Sequence, residues 1–376
     1  MPPLSPAIDK LPFYCPVPPA PHPPADTLDT DSVRWMVDFG ICAPDSWLAQ
    51  INSGHVASTM IPLHQDSHPA RHLGLFSDFC YWAYAWDDAR DARLDLRPPA
   101  ALTSHCQRLD RILDHPETRP HEKDPYCQSL WDLRRRLAEL PDTDQALLVT
   151  DGMRRFLHGG HHWTRMQRSR TLPSLNDYLL ARSDDCAGSW MVPFYPLIGD
   201  YRLTPQEAAD PLTLILTDLV PLTGALDNDI ISHHREAAIG EFNVLDVLQK
   251  ENGYSLPHAV TDALALRDGL MTLYVRIRDH LARTAGPHLA RFAHDIGYII
   301  RGHMEWALET NRYRTPQNAK TGELHDATAF TIDWSDHPAD DNPQPPTLPA
   351  IAWWWDHIQA AEANGCSAQD QPPARP

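Results

Sequence analysis

Apolar residues recur at three- and four-residue steps between polar ones over 98–115, 125–139 and 142–168, the period of helices that bury one face. The stretches 69–86, 205–235, 256–284 and 289–314 complete the helical set, the first running into a nearly all-apolar segment that reads as buried. A further helix has N-cap candidates in Asp29 to Ser32 and carries Trp35, Met36 and Phe39. Three places should interrupt this pattern. Gly159-Gly160 should break the helix over 142–168, and Asp184-Asp185-Cys186-Ala187-Gly188 is a poor helix interior that should end another. Pro221 with Gly224 should kink the helix over 205–235. No Gly-rich or Ser/Thr-rich linker and no repeat period divides Ser32 from Arg314, so one all-α domain over 28–315 is expected.

Proline sets the ends apart, because the 36 prolines are densest in 1–24 and 338–376. Residues 1–27 carry Pro too densely for helix or sheet and predict an extended arm that packs on the domain or stays mobile. Residues 316–376 form an acidic, Pro-rich tail. Within it, Leu348 to His357 with Trp353-Trp354-Trp355 predicts a short helix that docks back or mediates association.

A formal charge of −18 excludes nucleic acid and anionic membrane surfaces as expected partners, since both would be repelled. Lys occurs only at positions 10, 123, 250 and 320, so Arg carries nearly all the basic charge, and Arg is the better bidentate partner for phosphate. Seven Cys without CxxC or Cys/His ligand spacing read as reduced and cytoplasmic. No secretory signal and no apolar run of membrane-spanning length is visible. The 21 histidines are scattered, and the adjacent His161 and His162 diverge on a helix, so no histidine metal site is expected.

Two polar strips carry the chemistry. Asn228, Ser232 and Glu236 lie at i, i+4 and i+8 and line one helix face with three hard oxygen donors, the kind Mg²⁺ accepts. Well upstream, Phe79 to Trp86 runs into Asp87, Asp88 and Asp91, with Asp87 and Asp91 on one face at a helix C-terminus. Carboxylates there repel the negative end of the helix dipole unless cations accompany them. The plainer readings are a solvated polar face for the first strip and an acidic helix end paired with Arg90 and Arg93 for the second. Bridging divalent cations would also let so acidic a chain hold an anionic phosphate group.

DDxxD at the end of an apolar helix, followed downstream by NDxxSxxxE, resembles the metal-binding pair of bacterial class I terpene synthases. Arg182, 46 positions before Asn228, resembles that family's diphosphate-sensing arginine; Arg312-Tyr313 its C-terminal Arg-Tyr pair; and Arg235 a basic residue that contacts diphosphate. The resemblance covers roughly residues 30 to 315 and implies an α-helical barrel with a deep apolar cavity. It implies three Mg²⁺ held by Asp87, Asp88, Asp91, Asn228, Ser232 and Glu236. Diphosphate would be taken by Arg182, Arg235, Arg312 and Tyr313, with Arg182, Asp185 and the Cys186 carbonyl as the switch. Tyr84, Trp86, Trp190 and Trp306 are the candidate cavity aromatics, with core packing the alternative for each. The implied reaction is ionisation and cyclisation of a linear isoprenoid diphosphate by a monomer or homodimer, with farnesyl diphosphate the expected substrate and geranylgeranyl diphosphate the alternative. A prenyl-elongating synthase would carry two DDxxD motifs, and a non-catalytic helical module would leave the acid and arginine spacing unexplained.

Overall fold

Several helix starts in this chain are fixed by short polar side chains that accept a backbone N–H left over in the first turn. Asp124 accepts from the amides of Tyr126 (2.9 Å) and Cys127 (3.1 Å), with Pro125 as the first helical residue. Ser174, Thr204, Asp210 and Asn243 cap later helices in the same way, and Gly240 and Gly253, both left-handed, end two of them.

A computed structural model describes residues 10–19, 25–62, 70–91, 99–253, 255–315, 317, 322–323, 331–339 and 345–369. Strand β1 (Lys10–Tyr14) is followed by α1 (Ala25–Asp38), α2 (Ser53–Met60), α3 (Ala70–Asp91), α4 (Pro99–Asp114), α5 (Pro125–Ala138) and α6 (Thr143–Ser169). Next come α7 (Leu175–Asp185), the short α8 (Gly188–Met191), α9 (Phe194–Gly199) and α10 (Pro205–Ala208), and then α11 (Pro211–Ile239), α12 (Val244–Asn252) and α13 (Leu256–Thr284). α14 (Pro287–Asp295), α15 (Tyr298–Glu309), α16 (Asn311–Arg314), β2 (Thr331–Ser335) and α17 (Pro349–Gln369) complete the chain. Helices α2, α3, α6, α7 with α8, α11 and α15 pack each on the next in a closed ring, which is the α-helical barrel. Among the described residues no helix is long and apolar enough to cross a membrane.

Several sequence expectations are corrected. Residues 1–27 are not all extended arm: β1 pairs in parallel with β2, Lys10 opposite Thr331 through Tyr14 opposite Ser335. Pro12 is tolerated because each strand of a two-stranded sheet is an edge. Leu11, Phe13 and Tyr14 join the same core as Ile351, Trp354, Trp355 and Ile358 of α17, which docks on α7, α11 and α13 and is 21 residues long rather than short. Gly159-Gly160 does not break α6. A Cβ at Gly159 would stand 2.2 Å from the Asp184 carbonyl oxygen, so the glycines serve the close approach of α7 and of Arg90. The stretch 205–235 divides at Asp210 and then runs through Pro221 to Ile239, and 289–314 is three helices rather than one.

One buried ion pair joins the N-terminal strand to the centre of the barrel wall. Arg267 on α13 is fully buried, pairs with Asp227 of α11 (Nε to Oδ1, 2.8 Å), donates to the Tyr14 carbonyl and lies over the Phe13 ring at 4.9 Å. Burial pushes the Asp227 carboxyl up to about 6 although Arg267 opposes the shift.

Candidate active site

Helix α3 is apolar from Phe79 to Trp86 and then carries Asp87 and Asp88 near the negative end of its dipole. Three arginines supply the missing counter-charge. Arg90 donates to Asp87 (Nη2 to Oδ1, 2.6 Å), Arg312 donates to Asp88 (Nη1 to Oδ2, 2.6 Å) and to Asp87 (Nη2 to Oδ2, 3.4 Å), and Arg235 donates to Asp88. The side chain of Asp91 lies outside the described residues.

Helix α11 forms the facing wall. Asn228, Ser232 and Glu236 share one face of it: Ser232 Oγ donates to Glu236 Oε1 (2.7 Å), Asn243 Nδ2 to Glu236 Oε2 (2.7 Å), and Asn228 Nδ2 to the Tyr313 hydroxyl (2.6 Å). Arg182 stands beside this strip. Its Nη2 donates to Asn228 Oδ1 (3.1 Å), its Nε to Asp229 Oδ1 (3.0 Å) and its Nη1 to Asp185 Oδ2 (3.5 Å), while its guanidinium lies 5.4 Å from the Trp163 ring centroid. Asp185 also accepts from Arg90 Nη1 at 2.7 Å, so a single carboxylate links the arginine of one wall to the arginine of the other.

The expected helix break lies here. α7 ends at Asp185, Cys186 is extended (φ −82°, ψ 149°) and α8 starts at Gly188. A Cβ on Gly188 would meet Pro221 Cβ at 2.3 Å, so only glycine lets this turn approach α11 so closely. Cys186 lines the cavity with its thiol pushed up to about 11 by burial, which keeps it protonated at neutral pH.

Carboxylates here outnumber what the arginines neutralise. Partial burial opposes ionisation of Asp88, but Arg312 and Arg235 outweigh it and hold the group below the usual carboxylate range. Asp185, Asp229 and Glu236 are all pushed the other way, by burial first and, for Asp185 and Glu236, by the neighbouring acids Asp87 and Asp229. An all-oxygen donor set with an excess of buried acid fits hard divalent cations.

Below these groups lies a cavity of about 1030 Å³, counting its open mouth. Its apolar wall includes Met60, Tyr84, Phe156, Trp163, Phe242 and Ile299, with small residues at Ala83, Gly224 and Ala225. Of the four candidate aromatics, Tyr84 lines this space and Trp86, Trp190 and Trp306 do not. Trp86 stacks on Trp82 at 6.1 Å, and Trp190 packs among Phe76, Phe79 and Phe194. Trp306 donates to the Asn52 carbonyl (2.8 Å) and backs Tyr84 and Tyr313. The reason is helical phase: on α3 the cavity face is that of Ala83 and Asp87, and Trp86 is turned about 100° from its neighbour Asp87. On α15 the cavity face is that of Ile299 and His303, four residues apart. Sequence reasoning missed His303, Phe156, Trp163 and Phe242, none of which sits on a helix that carries an acidic strip.

The family model described as terpene synthase family 2, C-terminal metal binding, matches residues 78–273. The bonnadiene synthase of Allokutzneria albata is 30% identical over 93% of this chain and 98% of its own length. The (+)-T-muurolol synthase of Streptomyces clavuligerus, named as (2E,6E)-farnesyl diphosphate cyclizing, is 29% identical over 96% of this chain and 86% of its own. A crystal structure of SVS_A2, a protein from ancestral sequence reconstruction, superposes with a TM-score of 0.76 at 26% identity, covering 92% of this chain and 98% of that one. With two acidic strips, the arginines between them and an apolar cavity below, the chain belongs to the bacterial class I terpene synthases, lyases that act on diphosphate substrates.

Proposed function

We propose that this terpene cyclase takes geranylgeranyl diphosphate, with three Mg²⁺, and works in the cytoplasm. The observation that carries the chain length is the cavity wall, which is lined by the small residues Ala83, Gly224 and Ala225 next to the two polar strips. A Cβ built on Gly224 would meet only Ile299 Cγ2, at 4.0 Å, so this wall is open where a larger residue would shorten the space. The shorter farnesyl diphosphate, expected from the sequence, is the second reading, and the (+)-T-muurolol synthase relative favours it. The free thiols of the six described cysteines support the cytoplasmic setting.

Asp87, Asp88 and Asp91 on one wall and Asn228, Ser232 and Glu236 on the other would hold the ions, which when bound neutralise the diphosphate and make it a better leaving group. Arg182, Arg235, Arg312 and the Tyr313 hydroxyl bind and orient the diphosphate oxygens at the mouth. Asp185, held by Arg90, fixes the approach of Arg182, and the extended Cys186 brings its peptide unit to the cavity edge. Tyr84, Phe156, Trp163 and Phe242 exclude water and offer ring faces to the allylic cation.

The test is incubation with the C10, C15, C20 and C25 diphosphates, with and without Mg²⁺, reading products by gas chromatography and mass spectrometry. Hydrocarbon from the C20 substrate that disappears with EDTA is the expected result. Product from the C15 substrate alone overturns the chain length. A requirement for isopentenyl diphosphate as co-substrate overturns cyclisation in favour of chain elongation.

A further inference from the structure

One cavity group stands apart from the residues assigned to diphosphate and cations. His303 lies on the cavity face of α15, four residues beyond Ile299, and its side chain is 93% removed from solvent, since its relative exposure is 7%. Its ring is edge-on to Tyr313 (6.4 Å between centroids) and tilted against Trp306 (6.1 Å). Nδ1 is fully enclosed and has no hydrogen-bond partner, and no hydrogen bond to either ring nitrogen is made among the described residues. A buried histidine with a structural role is ordinarily hydrogen-bonded, because an unpaired buried polar group costs free energy. Whichever tautomer is present, a neutral imidazole keeps one nitrogen with a free lone pair.

We propose that His303 is the general base that ends the cyclisation by removing a proton from the last carbocation. This rests on the reading of the cavity as a cyclase site and adds a catalytic residue to it. In the step, a C–H bond next to the cationic carbon breaks and its electron pair becomes the π bond of the product alkene. The proton joins the imidazole lone pair, and the imidazolium then passes it to an oxygen of the diphosphate held by Arg182 and Arg312 before both products leave. Nothing is oxidised or reduced, and no co-reactant is needed.

The surroundings suit that role. Burial, reinforced by the charges of Arg182 and Arg312, holds the imidazole down at about 4, so it is neutral at physiological pH and does not repel an approaching cation. A carbocation is acidic enough that even so weak a base accepts its proton. The neighbouring arginines make the imidazolium short-lived, which favours its return to the neutral form. The position also fits: His303 lines the same cavity as Arg182 and Arg312, whose charges act on it, and lies one helical turn from Ile299 on the cavity wall.

The experiment compares wild type, His303→Phe and His303→Gln as full-length, Mg²⁺-loaded protein with the C15 and C20 diphosphates. Release of inorganic diphosphate and the hydrocarbon profile are read side by side. In the Phe variant, the share of the main product should fall at least tenfold, replaced by alkenes from other deprotonations or alcohols from water capture, while diphosphate release falls no more than about threefold. The Gln variant should shift the same way, because an amide oxygen is a far poorer base, and it serves if the Phe variant does not fold. An unchanged profile in either folded variant overturns the proposal. So does a parallel loss of diphosphate release and product in a folded variant, which would put His303 in substrate binding. Wild-type protein that releases no diphosphate from any substrate overturns the cyclase reading as well, so the two failures are distinguishable.

Discussion

Replacing Arg267 by Met should be among the most damaging single changes outside the cavity. The side chain is fully buried and it satisfies a buried carboxylate, Asp227, together with the Tyr14 carbonyl. Removing one partner of a buried pair leaves the other unpaired and typically costs about 3–5 kcal/mol. The Tyr14 carbonyl loses a charged donor as well, but these effects share one side chain and do not add, so a loss of about 4 kcal/mol is expected. With a urea m-value of about 3 kcal/mol per molar or more for a chain this long, the midpoint should fall by on the order of 1 M. The diagnostic step is the double variant Arg267→Met with Asp227→Leu, measured by urea denaturation followed by circular dichroism. An apolar pair of similar volume removes both charges, so the double variant should lie within about 1–2 kcal/mol of wild type and be more stable than the single one. A single variant that loses less than about 1 kcal/mol, or a double variant no more stable than the single, would refute the claim that this pair secures the N-terminal strand to α11. Turnover should fall with stability in the single variant, because Asp227 immediately precedes Asn228.

Asp87→Asn and Glu236→Gln should each cut turnover at least about a hundredfold with unchanged circular dichroism, since each removes ligand charge and little packing; near-normal turnover that still requires Mg²⁺ would place the ions elsewhere. Arg312→Ala should weaken substrate binding and turnover together, whereas Arg182→Lys, which keeps charge but loses the fork that now spans Asn228, Asp229 and Asp185, should mainly slow ionisation, each by at least about tenfold in kcat/KM; wild-type rates in Arg182→Lys and Arg182→Ala would reduce Arg182 to a structural ion pair. His303 has its folded-state value lowered from 6.5 to about 4, so the unfolded chain takes up a proton first as pH falls. Stability should therefore drop through the window from 6.5 towards 4 by up to roughly 3 kcal/mol, and His303→Phe should flatten that limb in urea titrations at successive pH values. Because Arg312 and Arg235 now hold Asp88, diphosphate that takes those arginines should free the carboxylate for cations; Mg²⁺ affinity measured by calorimetry should rise when inorganic diphosphate is present, and equal affinities would dissociate the two events.

The two acidic strips were legible because helical geometry is local: i, i+4 spacing alone puts Asn228, Ser232 and Glu236 on one face, as found. The break at Asp185 to Gly188 was legible for the same reason, being written in residues that disfavour a helix interior. What sequence could not give is which way a side chain points when its helix is apolar all round. Trp86, Trp190 and Trp306 have the composition of cavity aromatics, yet each faces a neighbouring helix or loop, and only the phase relative to Asp87 or Ile299 separates them from Tyr84 and His303. Pairings between distant segments were equally out of reach. Lys10 to Tyr14 finds Thr331 to Ser335, and Arg267 finds Asp227, through partners that no local pattern announces. Gly159-Gly160 shows the same limit from the other side: glycine allows a break, but here it allows another backbone to come close, and the packing of α7 decides between the two. The acidic charge of −18 gains its meaning only with the fold in view. Part of it is drawn together at the mouth, where Asp87, Asp88, Asp185, Asp229 and Glu236 exceed Arg90, Arg182, Arg235 and Arg312, five to four, before Asp91 is counted. A site with spare carboxylates and arginines already paired to acids cannot attract a bare diphosphate by charge. It can accept diphosphate together with cations, because the cations take the acids and release the arginines to the phosphate oxygens.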